Sequence, residues 1–206
     1  MRIRLLFVSV LLLTLFVTLT ACGGSAASPT ATSAPAATPV PVEPTAPALP
    51  TLDQTVTSEN GVSVSYPSGW LDPVATIGIF LYNNADGQAT MNFMRARVGG
   101  MAFQINMQPN SSERTPDELF DFTFNGLITG LSITPAAKET ITLDGVEIIK
   151  SVSANTTAGS EIALYTALKP VEDGFVTFIV YLHPNDVEAQ TPLIEAMLAS
   201  SDYNRP

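Results

Sequence analysis

Phe175-Val176-Thr177-Phe178-Ile179-Val180-Tyr181-Leu182 decides the architecture of this chain. Thr177 is its one non-apolar member, and β-branched and aromatic side chains of this kind favour a pleated strand. A half-buried strand alternates apolar and polar residues, whereas a strand apolar at consecutive positions is covered on both faces. The octet therefore predicts an inner strand with a layer of other elements above and below it. Glu172-Asp173-Gly174 is the turn leading into it, and His183 sits where it runs out into Pro184.

Two amphipathic segments can supply the cover. Thr115-Pro116-Asp117-Glu118 predicts a helix start, with Thr115 as N-cap, proline at the first helical position and Glu118 completing a capping box. Phe120, Phe124, Leu127 and Leu131 follow at helical spacing. Asn185-Asp186-Val187-Glu188 predicts a second start, capped by Asn185, with Val187, Thr191, Ile194 and Leu198 along one face.

The remaining apolar runs read as strands. Val62, Val64 and Tyr66 alternate with Ser63 and Ser65, the period of a half-buried strand. Residues 77–82 and 89–93 flank Asn83-Asn84-Ala85-Asp86-Gly87, whose composition predicts a hairpin turn between them. Residues 101–107, 139–143, 146–152 and 161–168 complete the set, with Asp144-Gly145 as a further turn. Strands with one helix after the early ones and another at the C-terminus imply a three-layer α+β sandwich.

The opening Gly61-Val62-Ser63-Val64-Ser65-Tyr66-Pro67-Ser68-Gly69-Trp70, the closing hydrophobic strand and the terminal helix ending near Ser200-Ser201 resemble the Mog1/PsbP-like domain group. The resemblance implies a central antiparallel sheet of about six or more strands flanked by helices on both faces. It also implies a non-catalytic accessory or assembly role, and it carries over no functional residue.

The sequence begins with Arg2 and Arg4, then 17 uncharged residues, 5–21, rich in Leu, Val and Phe. Leu19-Thr20-Ala21-Cys22 then resembles the lipobox of bacterial lipoproteins, which implies removal of residues 1–21 and a lipid on Cys22. The arginines stay cytoplasmic, so everything after Cys22 is expected outside, on the outer face of the cytoplasmic membrane or in the cell envelope. Residues 25–50 are Ala, Pro, Ser or Thr at 22 of 26 positions. Such a segment buries no core, and residues 22–51 are expected to be a lipidated tether reaching up to ~80 Å in polyproline II form. Residues 52–203 remain for one globular domain.

Cys22 is the only cysteine, so the domain relies on its core rather than on disulfides. From Leu52 onward seven cationic side chains face 18 acidic ones, a net charge of −11. Such a surface repels polyanions, so no nucleic-acid partner is expected. His183 is the only histidine and no Gly-x-Ser-x-Gly elbow exists, so no catalytic residue, no metal site and no cofactor are expected. Asn83, Asn84 and Asp86 come nearest to a calcium loop but read as a turn. Asp117, Glu118 and Asp121 read as acidic residues facing a helix N-terminal dipole, and Gly99-Gly100 is not a phosphate loop.

Arg95 and Arg97 form the one positive cluster, within a stretch that also holds Met91, Met94, Met101 and Met107. These two arginines are the candidate ligand-binding residues, beside a pliable apolar groove suited to a peptide or an amphipathic anion. The expected function is a non-enzymatic, membrane-anchored interaction or accessory module that meets an envelope protein. The alternative is a binding protein for a small or lipidic ligand, and a hydrolase stands last.

Overall fold

The computed structural model describes residues 48–111 and 113–206. Residues 1–21, Cys22 and the tether up to residue 47 lie outside that range. The described part is built on a seven-stranded antiparallel sheet in the order β3-β4-β5-β9-β8-β7-β6. Its strands are β3 (Val74–Ala75), β4 (Ile79–Tyr82), β5 (Met101–Pro109), β6 (Glu139–Leu143), β7 (Val146–Asn155), β8 (Ile162–Val171) and β9 (Gly174–Leu182). A second sheet in the order β1-β2-β10 comprises β1 (Gln54–Thr57), β2 (Val62–Tyr66) and β10 (Asp202–Tyr203). The helices are α1 (Ala85–Phe93), α2 (Pro116–Gly130) and α3 (Val187–Ser200).

β9 is the inner strand the octet predicts, paired along its whole length with β5 on one side and β8 on the other. Val176, Phe178, Val180 and Leu182 point to one face, where they meet Val62 and Val64 of β2 and Leu193, Ile194, Met197 and Leu198 of α3. Phe175, Ile179 and Tyr181 point to the other, against Leu119, Phe120, Phe124 and Ile128 of α2, with Met91 of α1 packed at the margin. Each fully buried side chain of this size contributes about 1.5–3 kcal/mol, so neither face can be left bare. The expected α+β sheet with helices on both faces is therefore present, and β1-β2-β10 is an addition to it.

α2 begins as its sequence predicts. Thr115 Oγ1 accepts from the Glu118 backbone N–H (3.3 Å) and the Glu118 carboxylate accepts from the Thr115 N–H (3.0 Å), with Pro116 in the first turn. α3 starts differently. His183, not Asn185, caps a short 3-10 turn (Pro184–Asp186), its ring nitrogen accepting from the Asn185 N–H at 3.2 Å. Asp186 stands at the α3 N-cap but makes no capping bond. The buried face is also wider than expected, since Leu193 and Met197 join Ile194 and Leu198.

The predicted 77–82/89–93 hairpin is not formed. Residues 85–93 are helical, and β4 pairs with β5 instead, Ile79 opposite Ile105 and Leu81 opposite Phe103. The cause is Asn84, whose Oδ1 accepts from the Gly87 N–H (2.9 Å) and so starts α1. Asn and Asp are favoured at turns and at N-caps for the same reason, a short side chain that bonds nearby backbone.

α3 is fastened to the sheet by polar contacts as well as by its apolar face. Glu195 Oε1 accepts from Lys150 Nζ (2.9 Å) and from the Tyr165 hydroxyl (3.3 Å). Lys169, 8% exposed, donates to the carbonyls of Leu198 (3.2 Å), Ala199 (2.9 Å) and Ser201. It thereby satisfies the orphan carbonyls that end α3.

Candidate functional site

A recess of about 600 Å³ opens at the end of the main sheet where β9 leaves and β5 begins, lined by Ala89, Arg95, Ala96, Arg97, Val98, Glu161 and His183. Both candidate arginines are therefore on one wall system, together with the only histidine. They arrive from three places: α1 and the connector 94–100, the residue before β8, and the residue after β9.

The connector begins at Met94, whose left-handed backbone (φ 51°) ends α1. It is then fixed by side chains from several elements. Gly99 O accepts from the side-chain amides of Asn83 (2.7 Å) and Asn84 (3.0 Å), and its N–H donates to the Asp186 carboxylate (2.7 Å). Asn83 Oδ1 in turn accepts from the Met101 N–H at 2.7 Å. The Ala96 N–H donates to Glu161 O (3.1 Å), and Arg97 pairs with Asp86 (2.7 Å). α1 lies so close to the start of β5 that a Cβ on Gly87 would stand 2.1 Å from Met101 O, and one on Gly100 would stand 2.7 Å from the Asp86 carbonyl carbon. Glycine at both positions permits this approach.

The electrostatics are balanced rather than strongly positive. The Glu161 backbone N–H, the Gly159 N–H (2.9 Å) and the nearby Arg95 charge hold the Glu161 carboxyl below the usual carboxylate range, against the opposing effect of burial. With Asp86 on Arg97, two carboxylates offset two guanidiniums. His183 Nδ1 is an acceptor for the Asn185 N–H, so the neutral ring carries its proton on Nε2. Val98, 65% exposed, adds apolar surface to the recess.

The four methionines do not form one groove. Met101 and Met107 pack on the α3 side of the sheet, Met91 on the α2 side, and Met94 faces solvent. Asn83, Asn84 and Asp86 are each engaged in stapling, capping or pairing, and no group of acidic, His or Cys side chains suited to a metal ion occurs among the described residues. Asp117 and Asp121 pair with Lys138 at 2.8 and 3.1 Å, and Glu118 closes its capping box. Glu161 carried no sequence signal beyond heading a strand, and Asp186 was legible only as a helix-start residue. Gly99-Gly100 marks the close approach of backbones, which a lone glycine pair can signal.

No helix among the described residues is long and apolar enough to cross a membrane. No family model matches the sequence, and no curated protein matches it. Among solved structures, cyanobacterial PsbP from Synechocystis is similar with a TM-score of 0.50 at 11% identity, over 73% of this chain and 92% of that one. The Ran-binding protein Mog1p from Saccharomyces cerevisiae gives 0.49 at 12% identity, over 73% and 94%. A putative regulator of unknown function from Pseudomonas aeruginosa gives 0.41 at 10% identity, over 74% and 97%. The domain thus has the α+β fold of cyanobacterial PsbP, in line with the resemblance of its opening strand and closing helix.

Proposed function

We propose that this protein is a lipoprotein anchored through Cys22 on the outer face of the cytoplasmic membrane or elsewhere in the envelope, and that its α+β domain is a non-enzymatic interaction module. The observation that carries the module reading is the recess itself. Its lining offers two guanidiniums, an imidazole, the Glu161 carboxylate and small apolar side chains, groups that hold a partner by charge and hydrogen bonds, with no serine, threonine or cysteine beside the imidazole. The PsbP fold supports the same reading by analogy. A lipidic-ligand carrier would call for an enclosed apolar chamber. Here the octet's two faces are filled by side chains from α2, α3 and β2, and the recess is open, which favours the module over the carrier.

The test has two parts. Metabolic labelling with an alkynyl fatty acid should mark the wild-type protein and not Cys22→Ser, which should leave the membrane fraction. Cross-linking in intact cells, followed by mass spectrometry, should capture a defined envelope protein with the wild type. An unlabelled wild-type protein would overturn the anchor, and the absence of any reproducible captured protein would overturn the module.

A further inference from the structure

We infer that the recess binds a single carboxylate carried on a small apolar group, the chemistry of a peptide C-terminus or of a free acyl amino acid. The inference rests on the interaction-module reading and names what that module recognises. Arg97 is already engaged by Asp86, but Arg95 makes no hydrogen bond or ion pair among the described residues. Its planar fork matches a carboxylate bidentately. His183 lines the same recess and carries its proton on Nε2, because Nδ1 accepts from the Asn185 N–H. Ala89, Ala96 and Val98 supply the apolar wall beside these donors.

Charge selects the ligand further. With Arg97 held by Asp86, Arg95 is the one guanidinium of the recess with no direct ion-pair partner among the described residues, and Glu161 adds a negative charge nearby, so the recess suits one carboxylate and disfavours a dianion or polyanion. The volume of about 600 Å³ has room for the last few residues of a peptide but not for a long extended one. The connector is also held by Asn83, Asn84, Asp186 and the Ala96–Glu161 backbone bond before any ligand arrives. A frame fixed in advance loses less freedom on binding.

His183 is the only histidine, so it gives a single set of imidazole NMR signals from the wall of the recess. The full-length protein, ¹³C-labelled at histidine and held in detergent micelles, would be titrated with N-acetylalanine, with acetyl-Ala-Val-Ala as the free acid, and with the amidated form of each. The His183 signals should shift saturably with the acids and not with the amides. Arg95→Ala should weaken the acids at least fivefold, Arg95→Lys should weaken them less, and Arg205→Ala, at an exposed pair with Asp173, should change nothing. Unaltered Trp70 fluorescence would establish that each variant is folded. Tighter binding of the tripeptide acid than of N-acetylalanine identifies peptide C-termini as the source, and equal binding identifies small carboxylates. Equal response to acid and amide, no saturable shift, or unaltered affinity in Arg95→Ala would overturn the inference. Should that happen while cross-linking still captures an envelope protein, the module reading stands and only the recess chemistry falls.

Discussion

Replacing Lys169 by methionine keeps the stem's bulk and removes the ammonium that ends α3. In the native protein this nitrogen donates to the Leu198, Ala199 and Ser201 carbonyls from a side chain 8% exposed. Hydrogen bonds involving a charged group contribute about 1.5–3 kcal/mol, and a cation at a partly buried helix C-terminus adds about 0.3–2 kcal/mol. Against this stands the cost of desolvating the ammonium, which lowers the Lys169 pKa, partly relieved by the charges of Asp202 and Asp144. Methionine recovers roughly 1 kcal/mol of that through apolar packing. The balance is a loss of about 2–3 kcal/mol. With a urea slope of about 2 kcal/mol/M for a domain of this size, the midpoint should fall by ~1–1.5 M at constant slope. Trp70, the only tryptophan, packs at a tilt against Phe103 with ring centroids 5.3 Å apart and reports the transition by fluorescence. A midpoint within ~0.3 M of wild type would refute the view that Lys169 secures α3.

Two further outcomes follow from packing and from titration. Gly87→Ala places a Cβ 2.1 Å from Met101 O and should cost roughly 2–3 kcal/mol, whereas Gly126→Ala meets nothing within 4 Å on the exposed side of α2 and should stabilise by about 0.5–1 kcal/mol; thermal melts of the pair, moving in opposite directions, check this. Burial pushes the Tyr181 hydroxyl up to about 12, while in the unfolded state it ionises near 10. The folded protein therefore holds the proton longer, and this contribution, full below pH ~10, is lost as pH rises to about 12. Urea midpoints of Tyr181→Phe should fall less steeply across that window than those of wild type, and parallel curves would refute the assignment.

The parts of this fold that were legible are those set by neighbours in sequence. The Thr115 capping box and the β6–β7 turn at Asp144-Gly145 involve residues a few positions apart, and β6 has the predicted bounds. α1 was not legible, because Ala85-Asp86-Gly87-Gln88-Ala89 carries no apolar stripe and Asn83-Asn84 serves a turn as well as a cap. The small sheet was hidden for another reason. β1 is mostly exposed, and β10 has only two residues, whose pairing with β2 is extended by the Asn204 N–H donating to Gly61 O at 2.9 Å. For the site, Arg95 and Arg97 stood out as the only cationic pair in an acidic domain. Glu161 and Asp186 could not, since their roles come from strands and turns that only the folded sheet brings to the connector.

β1 also has a mechanical meaning. Tension entering the domain from the residues ahead of Ala48 reaches β1 before any other strand, and β1 is joined to β2 by four residue pairs. β9, by contrast, is joined to β5 and to β8 by nine pairs each. The small sheet is the weak link in series with a strong one. Were the protein held by the tether proposed above, a pull would strip β1 from β2 before the longer pairings of the seven-stranded sheet, with the recess at its end, gave way.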